Sequence, residues 1–153
     1  MGVNYIQKSS SKIMQIILNE KPSKEEISEI REGIRSFNRP FLEGVRDDDI
    51  VCYLNNKTGE KIAGVVGRIR GNWLSVEYLW VDETEKGKGL GSELLLKLES
   101  HARQQGCHSS MLQTASFQAE PFYKKHGYKT QMILDDFFEN AEVYYMTKRL
   151  EVS

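Results

Sequence analysis

The chain has 153 residues, 39% of them hydrophobic and 28% charged, with a formal net charge of -1. This is the make-up of a globular domain with room for a core. The near balance of charge offers no excess of positive charge that would point to nucleic acid or an anionic membrane, and leaves room only for local basic patches.

Residues 1–11 read as a loose lead-in, and residues 12–150 as one domain. Lys12 to Leu18, KIMQIIL, is predicted as a first strand and Asn19 to Pro22 as a turn. Ser23, with Glu26 three residues on, makes a capping box. Ile27, Ile30, Ile34 and Phe37 then recur at helical spacing. That helix is expected to end near Phe37–Asn38, because Arg39 precedes Pro40. Gly33 sits inside it at some cost in stability. Residues 37–48 form a loop or a short second helix.

Asp49 to Leu54, Lys61 to Arg70 and Trp73 to Val81 read as three strands joined by turns at Asn55–Gly59 and Gly71–Asn72. Two successive hairpins make an antiparallel meander. In the third of these strands Leu74, Val76, Tyr78 and Trp80 are expected on one face, and Ser75, Glu77, Leu79 and Val81 on the other. A helix follows from about Gly89 to Gln105, with Leu90, Leu94, Leu98 and Ala102 along its apolar line and Gly106 as its stop. Cys107 to Thr114 is the next strand, and the intervening helix requires it to run parallel to its neighbour. Pro121 to Lys125 is a short helix. Tyr128 to Leu134 and Glu142 to Leu150 are the last strands, linked by Asp135 to Asn140. The order predicts an α/β fold (an α+β mixed sheet) of six to seven strands flanked by helices.

The densest signal is Leu79 to Leu98, LWVDETEKGKGLGSELLLKL. An apolar strand end runs through a polar turn into Gly87, Gly89 and Gly91, just where a helix starts. The first N–H groups of a helix have no intrahelical partner and carry partial positive charge. With side chains thinned out around them, they form an anion site. Lys86 and Lys88 add formal charge there. The run lacks the lysine and hydroxyl of a Walker A loop, and its G-x-G-x-G spacing is not the dinucleotide fingerprint. Elsewhere, Cys52 and Cys107 make no C-x-x-C pair, which fits a reducing compartment, and His101, His108 and His126 stand in no zinc spacing. No metal is expected. The absence of a signal-type apolar segment points to the cytoplasm.

The segment Lys86-Gly87-Lys88-Gly89-Leu90-Gly91, running into Ser92, resembles the [Q/R]-x-x-G-x-[G/A] signature of the GNAT superfamily of N-acetyltransferases. The segment from Ser116 through Ala119, Phe122 and Tyr123 to Gly127-Tyr128 resembles the second family pattern, N-x-x-A-x-x-[F/L]-Y-x-x-x-G-[F/Y]. The likeness covers roughly residues 12–150. Lys86 replaces the usual glutamine or arginine, and Ser116 the usual asparagine. The resemblance implies a GNAT-like acyl-CoA N-acyltransferase fold. It also implies acetyl-CoA as cofactor, its pyrophosphate on the amides of Lys86 to Ser92. The pantetheine arm is then expected between separated strands near Leu79, Trp80 and Val81, and beside Ser116, Ala119, Phe122 and Tyr123. The Val81 amide would polarise the thioester carbonyl.

Acetyl transfer to an amine needs a neutral amine, a polarised carbonyl and a proton for the leaving thiolate. Glu77 is the candidate base, working through a water; the competing reading is a glutamate paired with Arg68 or Arg70. Tyr123 is the candidate acid; the competing reading is a packing aromatic. His108 and His126 read as surface or packing residues, and Cys107 as a packed strand start. The acceptor pocket is expected between Phe37–Arg46 and Asp135–Glu142, and Asp135, Asp136, Glu139 and Glu142 form an acidic rim suited to a cationic amine. Tyr78 and Trp80 are candidates for an apolar wall near the acyl group. The function this implies is N-acetylation of a primary amine on a small molecule by direct transfer. Acetylation of a peptide or protein amine, or a non-catalytic acyl-CoA-binding module, stands as the alternative. Val143 to Met146 is apolar enough to pair two copies as a homodimer if it lies on a sheet edge.

Overall fold

The computed structural model describes residues 14–150. The lead-in over 1–11 and the start of the expected first strand lie outside them. The chain divides into two compact units, one ending at Glu43 and the other beginning at Gly44.

The first unit holds one helix, α1 (Lys24–Leu42). Its capping box is complete. Ser23 Oγ accepts from the Glu26 N–H at 3.1 Å, and Glu26 Oε2 accepts from the Ser23 N–H at 2.7 Å. That backbone bond, with the Asn19 amide, holds the Glu26 carboxyl below its ordinary pKa. The helix does not stop at Asn38; it continues through Pro40 to Leu42. Pro40 falls in the last turn, so its missing N–H removes one bond close to an end that frays anyway. Phe37 and Phe41, one turn apart with ring centroids at 6.1 Å, brace that turn. The expected first strand is also corrected, since Met14 to Leu18 form no strand. A strand needs a ladder partner, and the described residues of this unit contain only a helix.

The second unit is a six-stranded mixed sheet. Its strands are β1 (Asp47–Asn55), β2 (Lys61–Arg70), β3 (Trp73–Val81), β4 (Ser109–Ala115), β5 (Lys129–Phe138) and β6 (Ala141–Arg149). The spatial order is β1-β2-β3-β4-β6-β5. Helix α2 (Leu90–Gln104) crosses between β3 and β4, and α3 (Glu120–Lys125) precedes β5. Only β3 and β4 run parallel; the other neighbours are antiparallel. Because β6 lies between β4 and β5, its backbone is bonded on both sides. The edge pairing expected of Val143 to Met146 is therefore excluded; Val143 and Met146 are buried. The link expected over Asp135 to Asn140 is mostly strand, since β5 continues to Phe138 around an irregularity at Asp136, whose φ is 50°. Among the described residues, no helix is long and apolar enough to cross a membrane.

Helix α2 buries Leu94, Leu95, Leu98 and Ala102 against Val65, Ile69, Leu74 and Val76. Gly67 makes this approach possible. A Cβ there would come within 2.8 Å of Leu98 Cδ2 and 3.0 Å of Leu74 Cδ1. A buried polar chain fixes the other side of α2. Tyr128 donates to Glu99 Oε1 at 2.9 Å, Ser110 Oγ meets the Tyr128 hydroxyl at 2.7 Å, and Lys148 Nζ donates to Glu99 Oε2 at 2.6 Å. Each member is satisfied by its neighbours, as a buried polar group must be.

Candidate active site

The site begins with an extra residue in β3. Val66 pairs with Tyr78 but Gly67 pairs with Val76, so Glu77 is a bulge residue without a partner on β2. A bulge bends its strand and re-aims the side chains beyond it. The parallel ladder between β3 and β4 ends at Val76 and Leu112. Both strands continue, β3 on β2 as far as Val81 and β4 on β6 as far as Ala115. The two backbones thus part at Glu77, and a cleft of about 810 Å³ opens between them.

The same bulge overturns the face assignment made from strict alternation. Leu74 and Val76 are buried as expected, but beyond Glu77 the phase reverses. Leu79 and Val81 pack on the core, whereas Tyr78 and Trp80 are exposed and line the cleft. One inserted residue flips every later side chain to the opposite face.

At one end of the cleft lies the glycine turn. Gly87 and Gly89 have φ of 79° and 81°, a conformation that a Cβ would strain. Gly89 is the N-cap of α2 and supplies no capping side chain, in contrast to Ser23 on α1. The N–H groups of Leu90, Gly91 and Ser92, three residues that line the cleft, therefore have no side-chain cap. Lys86 Nζ bonds Glu83 Oε1 at 2.5 Å and Lys88 Nζ bonds Glu85 Oε2 at 2.6 Å. Their charge is locally balanced, which leaves the backbone N–H groups as the main unpaired positive feature of the turn. Asp82 holds the approach to the turn by accepting from the Thr84 N–H and hydroxyl, which keeps its carboxyl below its ordinary pKa.

At the other side stands α3. Phe122 and Tyr123 line the cleft with rings 5.2 Å apart, and Tyr123 also meets Tyr128 at 5.7 Å. Tyr123 is 8% exposed, and burial raises its phenol above the ordinary value. It therefore keeps its proton near neutrality, the state a proton donor needs. Glu77 lines the cleft, and the arginines offered as its partners make their direct ion pairs with other carboxylates, although the charge of Glu77 still acts on Arg68. Arg68 bonds Asp47 at 2.5 Å and Asp49 at 3.8 Å, and Arg70 bonds Asp47 at 3.8 Å.

Of the residues expected at the site, Glu77, Leu79, Trp80, Val81, Lys86, Gly87, Gly89, Leu90, Gly91, Ser92, Ala119, Phe122 and Tyr123 all line this one cleft. Lys88 and Ser116 do not. Ser116 instead straps the end of β4 to β6. Its N–H donates to the Glu142 carbonyl at 2.9 Å and its hydroxyl accepts from the Glu142 N–H at 3.2 Å. Sequence reasoning missed Gln113, Thr114 and Gln118, which line the wall contributed by β4 and the loop after it. Gln118 Oε1 accepts from the Ala115 N–H at 2.9 Å. No local pattern marks these three; only the divergence of the strands exposes them. Beside that wall Tyr144 donates to Glu142 Oε2 at 2.5 Å. This bond, with burial and the charges of Glu142, Glu120 and Asp135, pushes the Tyr144 phenol up to about 12. Of these three carboxylates, Glu120 is paired with Lys124. Cys107 is packed as expected, its thiol pushed up by burial.

The site therefore combines a parting of parallel strands with an uncapped, glycine-opened helix start. The family model for the acetyltransferase (GNAT) family matches residues 11–128. The chain belongs to the GNAT acetyltransferase family. It is 33% identical over 120 residues to blasticidin-S acetyltransferase of Streptomyces morookaense, covering 77% of this chain and 88% of that protein. A crystal structure of an acetyltransferase from Bacillus cereus superposes with a TM-score of 0.77 at 30% identity, over 87% of this chain and 97% of that one. A structure from Agrobacterium tumefaciens shares the fold, with a TM-score of 0.83 at 24% identity over 89% of this chain and 99% of that one. This GNAT protein is an acetyl-CoA-dependent acyltransferase by class, and its mixed sheet is the fold of that family.

Proposed function

We propose that this GNAT protein acetylates a primary amine of a small, cationic molecule by direct transfer. The observation that carries the reading is the cleft itself. It brings the bulge carboxylate Glu77, the buried phenol Tyr123 and the uncapped turn at Gly89–Ser92 onto one continuous surface. When bound there, acetyl-CoA supplies an activated acyl group on a good leaving thiolate. The amides of Leu90 to Ser92 would hold its pyrophosphate, and the cleft faces near Leu79 to Val81 and at Ala119 and Phe122 would hold its arm. Glu77 takes the proton of the incoming ammonium through water, and Tyr123 donates one from its hydroxyl. No protein nucleophile is needed where two substrates are held together.

Two observations favour a small cationic acceptor over a peptide amine. The relative that shares 33% identity over most of its length is named for acetylating blasticidin-S. The charges of Asp135 and Glu142 act on Tyr144, which pairs with the cleft residue Thr114 on the neighbouring strand, and there they attract a protonated amine. The test is release of free CoA from acetyl-CoA with blasticidin S, aminoglycosides, polyamines, amino acids and N-terminal peptides. The expected result is turnover with one of the cationic small molecules and its loss in Glu77→Gln. Turnover confined to peptides would overturn the acceptor assignment. Full activity in Glu77→Gln would remove that residue from the mechanism.

A further inference from the structure

His126 reads from sequence as a surface or packing residue, yet the fold ties it to the glycine turn. Its Nε2 lies 2.9 Å from Ser92 Oγ across 34 positions of chain, in a half-buried contact. Ser92 is in the first turn of α2 and lines the cleft; His126 stands behind it, at the C-cap of α3. The imidazole is held from two sides. Its ring centroid is 4.7 Å from that of Phe122, and its backbone N–H donates to the carbonyls of Phe122 at 3.3 Å and Tyr123 at 3.0 Å.

We infer that His126 is a positioning residue that turns the Ser92 hydroxyl into a hydrogen-bond donor for the diphosphate of the acyl carrier. The inference rests on the reading above that this turn receives CoA pyrophosphate. A serine hydroxyl has one proton and two lone pairs. If that proton goes to Nε2, only lone pairs face the anion. If Nε2–H donates to Ser92 Oγ, the serine proton is released to a phosphate oxygen, next to the amides of Leu90 to Ser92. An anion in the turn selects the second arrangement, and the imidazole, one layer removed from the ligand, sets it.

The test compares two donors and two sides of the bond. Calorimetry gives the Kd of CoA for wild type, His126→Phe, His126→Gln, Ser92→Ala and the Phe/Ala double variant. Steady-state kcat/KM is measured with acetyl-CoA and with S-acetylpantetheine, which lacks the pyrophosphate. A charge-assisted hydrogen bond corresponds to about a tenfold change in affinity. We expect His126→Phe and Ser92→Ala each to weaken CoA by about that factor, and the double variant to be no weaker than the worse single. His126→Gln, which retains an N–H donor, restores part of the loss. With S-acetylpantetheine, kcat/KM of His126→Phe is unchanged. Equal damage to both donors in His126→Phe would reduce the bond to a packing strap and overturn the inference. So would factors that multiply in the double variant. Ser92→Ala keeps the question decidable should His126→Phe not fold. A wild type that binds CoA with a Kd indifferent to both substitutions overturns this inference alone. A wild type that binds no CoA overturns the reading of the cleft beneath it.

Discussion

Gly67→Ala joins the packing of the core to the geometry of the site. The added methyl would sit 2.8 Å from Leu98 Cδ2, 3.0 Å from Leu74 Cδ1 and 3.3 Å from Leu98 Cδ1. Leu98 and Leu74 are 1% and 0% exposed, so neither can swing into solvent. To reach ordinary contact Leu98 must retreat by about half an ångström, and α2 must move with it. Overpacking of this kind costs about 1–3 kcal/mol. Because α2 begins at the glycine turn, the shift also misplaces the amides of Leu90 to Ser92. The expected result is a lower midpoint in urea together with weaker CoA binding by calorimetry. Leu98→Val, alone about 1 kcal/mol destabilising, removes the clashing terminal methyls. Combined with Gly67→Ala it should cost less than the two losses added, because the sites are in contact. Strict additivity in that cycle would refute the reasoning, for it would mean that the glycine is present for some reason other than the approach of Leu98.

Three further outcomes are expected. Tyr123→Phe keeps the ring contacts with Phe122 and Tyr128 but removes the proton; kcat should fall by about a hundredfold with the Kd of CoA little changed, measured by CoA release and calorimetry. Gly33→Ala should stabilise, since a Cβ at that position meets nothing within 4 Å and the helix interior gains about 0.8 kcal/mol; loss of stability in thermal or urea melts would contradict this. Alkaline pH should unfold the protein through Tyr128. Burial and Glu99 raise its folded pKa far above the ordinary value, whereas the unfolded phenol ionises near 10. Above about pH 10 the folded state then holds one proton more, so stability falls as pH rises, by up to about 1.4 kcal/mol per unit for this group. Tyr128→Phe should flatten that limb in urea melts between pH 10 and 12 by about the same slope.

Much of the site was legible in the chain because it is local. Gly87, Gly89 and Gly91 must accept positive φ or clear a helix start, and the residues from Ala119 to Gly127 form one short helix with its stop. Contiguous patterns of this kind survive any tertiary arrangement. The β-α-β crossover was legible for the same reason, since a helix between two neighbouring strands admits only a parallel return. The errors have physical causes at longer range. Pro40 was read as a terminator although the pairing of Phe37 with Phe41 carries α1 past it. Met14 to Leu18 are apolar enough for a strand, but the described residues of their unit offer no strand to pair with.

By itself, then, the sequence determined the glycine turn, the order of the elements from α1 onward and the family to which they belong. Each of these is written in spacing along the backbone. The tertiary structure decided what the turn faces. The bulge at Glu77 inserts one residue into β3, parts it from β4 and reverses the faces of Tyr78 to Val81, and alternation counted along the chain cannot register an insertion defined only against β2. The insertion of β6 between β4 and β5 removed a predicted edge, and the contact of Ser92 with His126 crosses 34 positions. Neither leaves a mark in the local pattern, because strand order and side-chain meetings are properties of the packed sheet.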